Sequence, residues 1–200
     1  MVSRWIVFLL IAGAGFGIDL WTKQVFFDRE YQGHFHDPAI DYWVWEGVLG
    51  TQPSLNQGAL FGIGQGGGLA LAIIAIVAVV GIVVWLFVFK AGKDWWLLVP
   101  MSLVMGGILG NLYDRLGLWH GADPAPHEVR AVRDWVYFRL EGVPGFDPWP
   151  NFNFADSLLV CGAALLFFHL AWILPRQEKA RALAAEKAAK EAESTVNPSA

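Results

Sequence analysis

The chain has 200 residues, 56% of them hydrophobic and 16% charged, with a mean hydropathy of +0.44, which is too apolar for an ordinary soluble domain. A formal net charge of −4 and a pI near 5.7 leave no basic surface for nucleic acid. The single cysteine, Cys161, excludes an internal disulfide.

A membrane-crossing helix needs about 20 apolar residues. Four stretches qualify, at 5–21, 67–89, 95–118 and 152–174. Trp5, Trp21, Trp95, Trp96 and Trp172 lie at the ends of these runs, where an interfacial aromatic belt places them. The first run follows Arg4 and carries small residues at Ala12, Gly13 and Ala14, but it continues to Asp19 without a convincing cleavage site. It reads as an uncleaved first helix.

Asp19 and Lys23 close this helix on one face, four residues apart. The acidic, Trp-rich stretch 24–66 follows, and within it 44–56 has the β-branched and aromatic residues with Gly and Pro punctuation of short strands. His34 and His36 form an H-x-H pair with no further ligands at metal-site spacing. Asn56 immediately precedes the second span, which holds no ionisable residue. The third span ends on Asn111, Asp114 and Arg115. The connection 119–151 contains five prolines, Asp134, and a helix or helical turn expected around 128–140. Its Gly and Pro content fits either a segment able to move over a site or a surface loop anchored by its Trp residues. Asn153 and Asp156 open the fourth span, and His169 lies near its far end. Gly13/Gly17 and Gly106/Gly110 fit small-residue helix packing. The tail 175–200 is rich in Ala, Glu and Lys and reads as a solvated helix with Glu186 and Lys190 paired.

These runs predict an all-α membrane protein of four transmembrane helices, with a small extracytoplasmic β-rich segment and an outer loop or amphipathic helix. Residues 1–174 form one membrane domain, and 175–200 a charged cytoplasmic tail. Lys and Arg crowd the side holding both termini and the loop of Lys90 and Lys93, so the positive-inside rule makes that side cytoplasmic. Every polar cluster named above then falls at the outer leaflet, which predicts one convergent polar site there. Each group also has a structural reading: headgroup contacts for Asp114 and Arg115, an interfacial ion pair for Asp19 and Lys23, a helix cap for Asn153 and packing for His169. A carboxylate at bilayer depth costs roughly 2.5 to 3.5 kcal/mol even on lenient scales, so it marks function. Two that converge, Asp134 and Asp156, can share a proton, one acting as base and the other as acid.

The pieces Asp19-Leu20-Trp21-Thr22-Lys23, Asn56-Gln57-Gly58-Ala59-Leu60-Phe61-Gly62, Gly106 through Arg115, Val132-Arg133-Asp134-Trp135 and Phe152-Asn153-Phe154-Ala155-Asp156 occur in this order. In that order, on a four-helix hydropathy pattern, the chain resembles prokaryotic lipoprotein signal peptidase, signal peptidase II. The resemblance implies an aspartyl endopeptidase of the bacterial inner membrane that cuts diacylglyceryl-modified prolipoproteins before the lipid-bearing Cys, with membrane lipid as its surroundings and no metal or organic cofactor. It implies Asp134 and Asp156 as the catalytic pair. Asp19, Lys23, Asn56, Gly58, Asn111, Asp114, Arg115, Asn153 and Ala155 would line or support the pocket. Arg133 and Trp135 depart from the family, which usually has an apolar residue and Phe or Tyr there, and the connection from Arg115 to Asp134 is long. The competing classes are a proton-coupled transporter, which needs a polar path across the whole bundle, and a noncatalytic lipid- or partner-binding module.

Overall fold

The computed structural model describes residues 2–28, 42–58, 67–121 and 124–196. His34 and His36, and the end of the motif that begins at Asn56, lie outside these.

Helix α1 (Val2–Thr22) runs on through a wider π-type turn (Lys23–Asp28), so the first span extends to Phe27 and holds Lys23 inside it. Helix α2 (Gly68–Val83) continues similarly through Val84–Val88. Helix α3 (Trp95–Arg115) starts at the cap of Asp94, whose side chain accepts from the Trp96 N–H at 2.9 Å. Helix α4 (Phe154–Phe168) passes through His169–Ile173 into α5 (Leu174–Val196). Among the described residues four helices are therefore long and apolar enough to cross a membrane, and the last is continuous into the charged tail, where Lys190 meets Glu186 at 2.6 Å as expected.

Helix α3 is the centre of the bundle, packing against α4, α1 and α2. Close approach to α4 depends on Gly107, where a Cβ would lie 2.5 Å from the Ala155 carbonyl oxygen. Gly106 and Gly110 lie on helix contacts as the pattern predicts, but Gly13 and Gly17 face open space. The glycine of α1 that packs is Gly15, against Leu158, because the small-residue spacing alone does not say which face of α1 turns inward. The apolar core, including Phe8, Ala12, Leu86, Leu98, Met101 and Met105, fills one end of the bundle. Leu69, Ile73, Ile76, Val77 and Val80 stay exposed on α2, as a lipid-facing helix requires.

A four-stranded antiparallel sheet forms at the other end, in the order β1 (Tyr42–Trp45), β2 (Leu49–Asn56), β3 (Val132–Phe138), β4 (Trp149–Phe152). Of the strands expected within 44–56, β2 lies inside that stretch and β1 overlaps its start. Gly47, at φ +77°, supplies the left-handed residue of their turn. Pro53 lacks a ladder donor, and the β2–β3 register slips between Thr51 and Ser54, leaving one extra residue on β2. The bulge is tied down by Asn151 Nδ2, which donates to the Gln52 carbonyl at 2.8 Å.

The helix expected around 128–140 is instead strand β3. Val132, Trp135, Val136, Tyr137 and Phe138 are β-branched or aromatic, and the segment finds partners on both edges, in β2 and β4. The connection is held by local contacts: Trp135 stacks on Phe26, Trp149 on Phe146, and Arg139 pairs with Asp147 at 2.5 Å.

Candidate active site

Asp156 is placed by the same device that starts its helix. Asn153 Oδ1 accepts from the Asp156 N–H at 3.0 Å, and Asp156 Oδ2 accepts from the Asn153 N–H at 3.1 Å, a reciprocal capping box. With its oxygen committed to the cap, Asn153 turns its amide nitrogen toward Asp134 Oδ1 at 2.7 Å and Asn111 Oδ1 at 3.0 Å. Asn111 in turn donates to Asp156 Oδ1 at 2.8 Å, and Asn56 donates to Asp134 Oδ2 at 3.1 Å. Each of the four carboxyl oxygens thus receives a hydrogen bond from an asparagine. A proton on either aspartate finds only donors along these directions, so it must occupy a remaining lone pair. Burial pushes the Asp134 carboxyl well above the ordinary carboxylate range, and the charge of Asp156 adds to this, while Asn56, Lys23 and Asn153 oppose it.

A second layer lies behind the pair. Lys23, fully buried, touches Asp19 Oδ2 at 2.8 Å and Asp114 Oδ2 at 3.0 Å, and donates to Asn111 Oδ1 at 3.3 Å. Being donor-only, it fixes the Asn111 amide so that its nitrogen faces Asp156. Asp19 Oδ1 accepts from the Ala155 N–H at 2.8 Å, which joins the end of α1 to the first turn of α4. Arg115 reaches the Gly58 carbonyl at 2.6 Å and the Arg130 carbonyl at 3.3 Å. Asp114 pairs with Arg133 at 2.8 Å.

The two aspartates form the polar wall of a cavity of about 560 Å³ between the sheet and helices α2, α3 and α4. Asn56, Gly58, Asn111 and Arg115 share that wall. The opposite side is apolar: Leu71, Ile74, Ala75 and Ala78 at i, i+3, i+4 and i+7 of α2, with Ile108, Leu159 and Val160. Ile74 and Val160 belong to this lining and are also 63% and 64% exposed, so the cavity opens sideways between α2 and α4.

All the candidate residues read from the sequence gather at this end. Asn56, Gly58, Asn111, Arg115, Asp134 and Asp156 line the cavity; Asp19, Lys23, Asp114, Asn153 and Ala155 stand behind it. The headgroup reading of Asp114 and Arg115 fails, since both are buried and bonded within the protein. Asn153 both caps α4 and bonds Asp134. His169 is buried at the far end, 3.5 Å from Asp94. Among the described residues no group of three or more His, Cys, Asp or Glu could hold a metal ion. The alanines of α2 recurring at helical spacing are the trace in the sequence of the apolar half of the cavity.

Comparisons with known proteins point to one family. The family model described as signal peptidase (SPase) II matches residues 11–172. A lipoprotein signal peptidase of Rhodopirellula baltica is 41% identical over 164 residues, covering 82% of this chain and 71% of that protein. One from Xanthomonas campestris pv. campestris is 32% identical over 164 residues, covering 79% of this chain and 84% of its own length. A solved bacterial membrane enzyme shares the fold with a TM-score of 0.64 at 27% identity, covering 82% of this chain and 87% of that one.

Proposed function

This chain belongs to the signal peptidase II family, which cleaves lipoprotein signal peptides, and from that premise we propose that it is an aspartyl endopeptidase acting through Asp134 and Asp156. Its substrates are diacylglyceryl-modified prolipoproteins, cut before the lipid-bearing Cys. The observation that carries the reading is the pair of carboxyls that accept hydrogen bonds on all four oxygens, at the polar end of an otherwise apolar cavity.

Peptide hydrolysis without a covalent intermediate needs an activated water, a polarised carbonyl and a protonated leaving amine. The ionised aspartate takes a proton from water, the protonated one hydrogen-bonds the scissile carbonyl, and the proton gained by the base passes to the leaving nitrogen. The asparagine donors keep one carboxyl ionised, while burial and mutual repulsion retain the shared proton. The side opening between α2 and α4 admits the acyl chains, which lie against Leu71, Ala75 and Ala78 while the peptide meets the dyad. The dyad faces the outer side of the inner membrane, both termini and the tail face the cytoplasm, and residues 1–174 form the peptidase domain. A transporter reading has less support, because the other end of the bundle is closed by Phe8, Leu86, Leu98 and Met101.

The test is mass spectrometry of a diacylated prolipoprotein incubated with the purified protein, beside Asp134→Asn and Asp156→Asn. Cleavage before the modified Cys by the parent and near-complete loss in both variants is the expected result. Substantial turnover by either folded variant removes the dyad.

A further inference from the structure

Arg133 precedes Asp134 in β3 and is 3% exposed. Three of its groups meet one carboxylate. Its backbone N–H donates to Asp114 Oδ2 at 3.0 Å, and its Nε and Nη2 donate to Asp114 Oδ1 at 3.2 and 2.8 Å. The guanidinium also lies over the Trp119 ring, 5.2 Å from its centroid. We propose that Arg133 is a positioning residue for Asp134, and that its charge sets how many protons the buried carboxyls hold. This rests on the dyad reading above.

The positioning follows from strand geometry. Successive side chains of a strand point to opposite faces. Fixing both the backbone and the side chain of Arg133 on Asp114 turns Asp134 the other way, toward Asn56 and Asn153. Asn153 Nδ2 also reaches the Arg133 carbonyl at 3.4 Å, so the residue is held from both sides.

The charge follows from the groups packed around the dyad. Helix α1 and the turn that continues it bring Asp19 and Lys23, α3 brings Asp114 and Arg115, β3 brings Arg133 and Asp134, and α4 brings Asp156. Strand β2 contributes only the neutral Asn56, α2 has no ionisable residue, and His127, Glu128 and Arg130 lie on the exposed or half-buried connection before β3. Among the described residues the site therefore sets four carboxyls against three cations. It is neutral when one carboxyl is protonated, as the mechanism requires. An apolar residue at 133 leaves Lys23 and Arg115 as the cations among the described residues, so neutrality then needs a second proton and the ionised base becomes harder to form.

The experiment measures kcat and KM against pH on an acylated prolipoprotein peptide. The variants are Arg133→Met, Arg133→Gln and Arg133→Lys in the full chain, with Asp134→Asn and Asp156→Asn as controls. Arg133→Met and Arg133→Gln should lower kcat about tenfold or more with KM little changed, as misplacement of a reacting group does. Loss of one unit charge should also move the acid limb of the kcat profile up, by about one pH unit if a separation on the order of 10 Å and an effective dielectric near 20 are assumed. Arg133→Lys keeps the charge and should return the limb to its original pH, but it lacks the planar fork and should recover only part of kcat. Gln retains donors toward Asp114, so it reports the charge even where Met prevents folding. An unmoved acid limb in Arg133→Gln, a loss carried by KM, or a limb that Lys does not restore overturns the proposal. Turnover by the Asp→Asn controls would instead remove the dyad; silent controls with an unmoved limb remove only the role of Arg133.

Discussion

Asn153 is the residue whose removal most sharply tests the site geometry. Asn153→Ala deletes the bond to Asp134 Oδ1 at 2.7 Å and the cap on the Asp156 N–H at 3.0 Å. Loss of an N-cap costs about 1 kcal/mol, and a hydrogen bond to a charged group is worth about 1.5 to 3 kcal/mol. The bond to Asn111 adds less, because Lys23 still donates to the same Asn111 oxygen at 3.3 Å. The fold should therefore lose about 2.5 to 4 kcal/mol. If the bond to Asp134 matters fully in the transition state, kcat should fall about tenfold to a hundredfold. Asn153→Ser separates the two effects. It keeps a capping oxygen, so about 1 kcal/mol of stability should return, while turnover stays low for want of a donor to Asp134. Unfolding in detergent and prolipoprotein cleavage, measured on both variants, supply the numbers. An Asn153→Ala protein with stability within roughly 0.5 kcal/mol of the parent and undiminished kcat would refute the hub role.

Ala78→Phe fills the apolar half of the cavity and should raise KM for the acylated substrate severalfold while leaving Asp134 and Asp156 in place; an unchanged KM would move the acyl chains elsewhere. Gly107→Ala puts a methyl against the Ala155 carbonyl and should destabilise by about 1 to 3 kcal/mol, read from unfolding, with stability equal to the parent as the contrary result. Asp134 is held above the ordinary carboxylate range, so the folded protein binds its proton more tightly than the unfolded chain. That contribution is complete below the unfolded value near 3.9 and is lost as pH rises through the folded one. Thermal unfolding should show this decline and Asp134→Asn should flatten it; parallel curves would contradict the assignment. Reporter fusions at the C-terminus should report the cytoplasm, and an external signal would reverse the orientation.

Much of this was legible in the sequence because hydrocarbon leaves few alternatives. Each backbone group must be satisfied within a helix, so four apolar runs of sufficient length specify four spans. Costly ionisable residues at the ends of those runs mark a functional end. The pairing of Asn153 with Asp156 is local, three residues apart at a helix start, and the capping signature is readable without coordinates. The strand at 132–138 was not readable in this way: its burial is non-alternating, and it becomes a strand by pairing with β2 some 80 residues earlier and with β4. Only the tertiary structure turns Gly15 rather than Gly13 or Gly17 into the packed glycine of α1, because the rotation of a helix is set by its neighbours. The same holds for Arg133. Its identity is in the chain, but its three bonds to Asp114 exist only once β3 is laid against the end of α3. Composition and local pattern thus determined the class, the spans and the residues available for chemistry. Which of those residues touch, and which way each carboxyl faces, was decided by packing between segments distant in the chain.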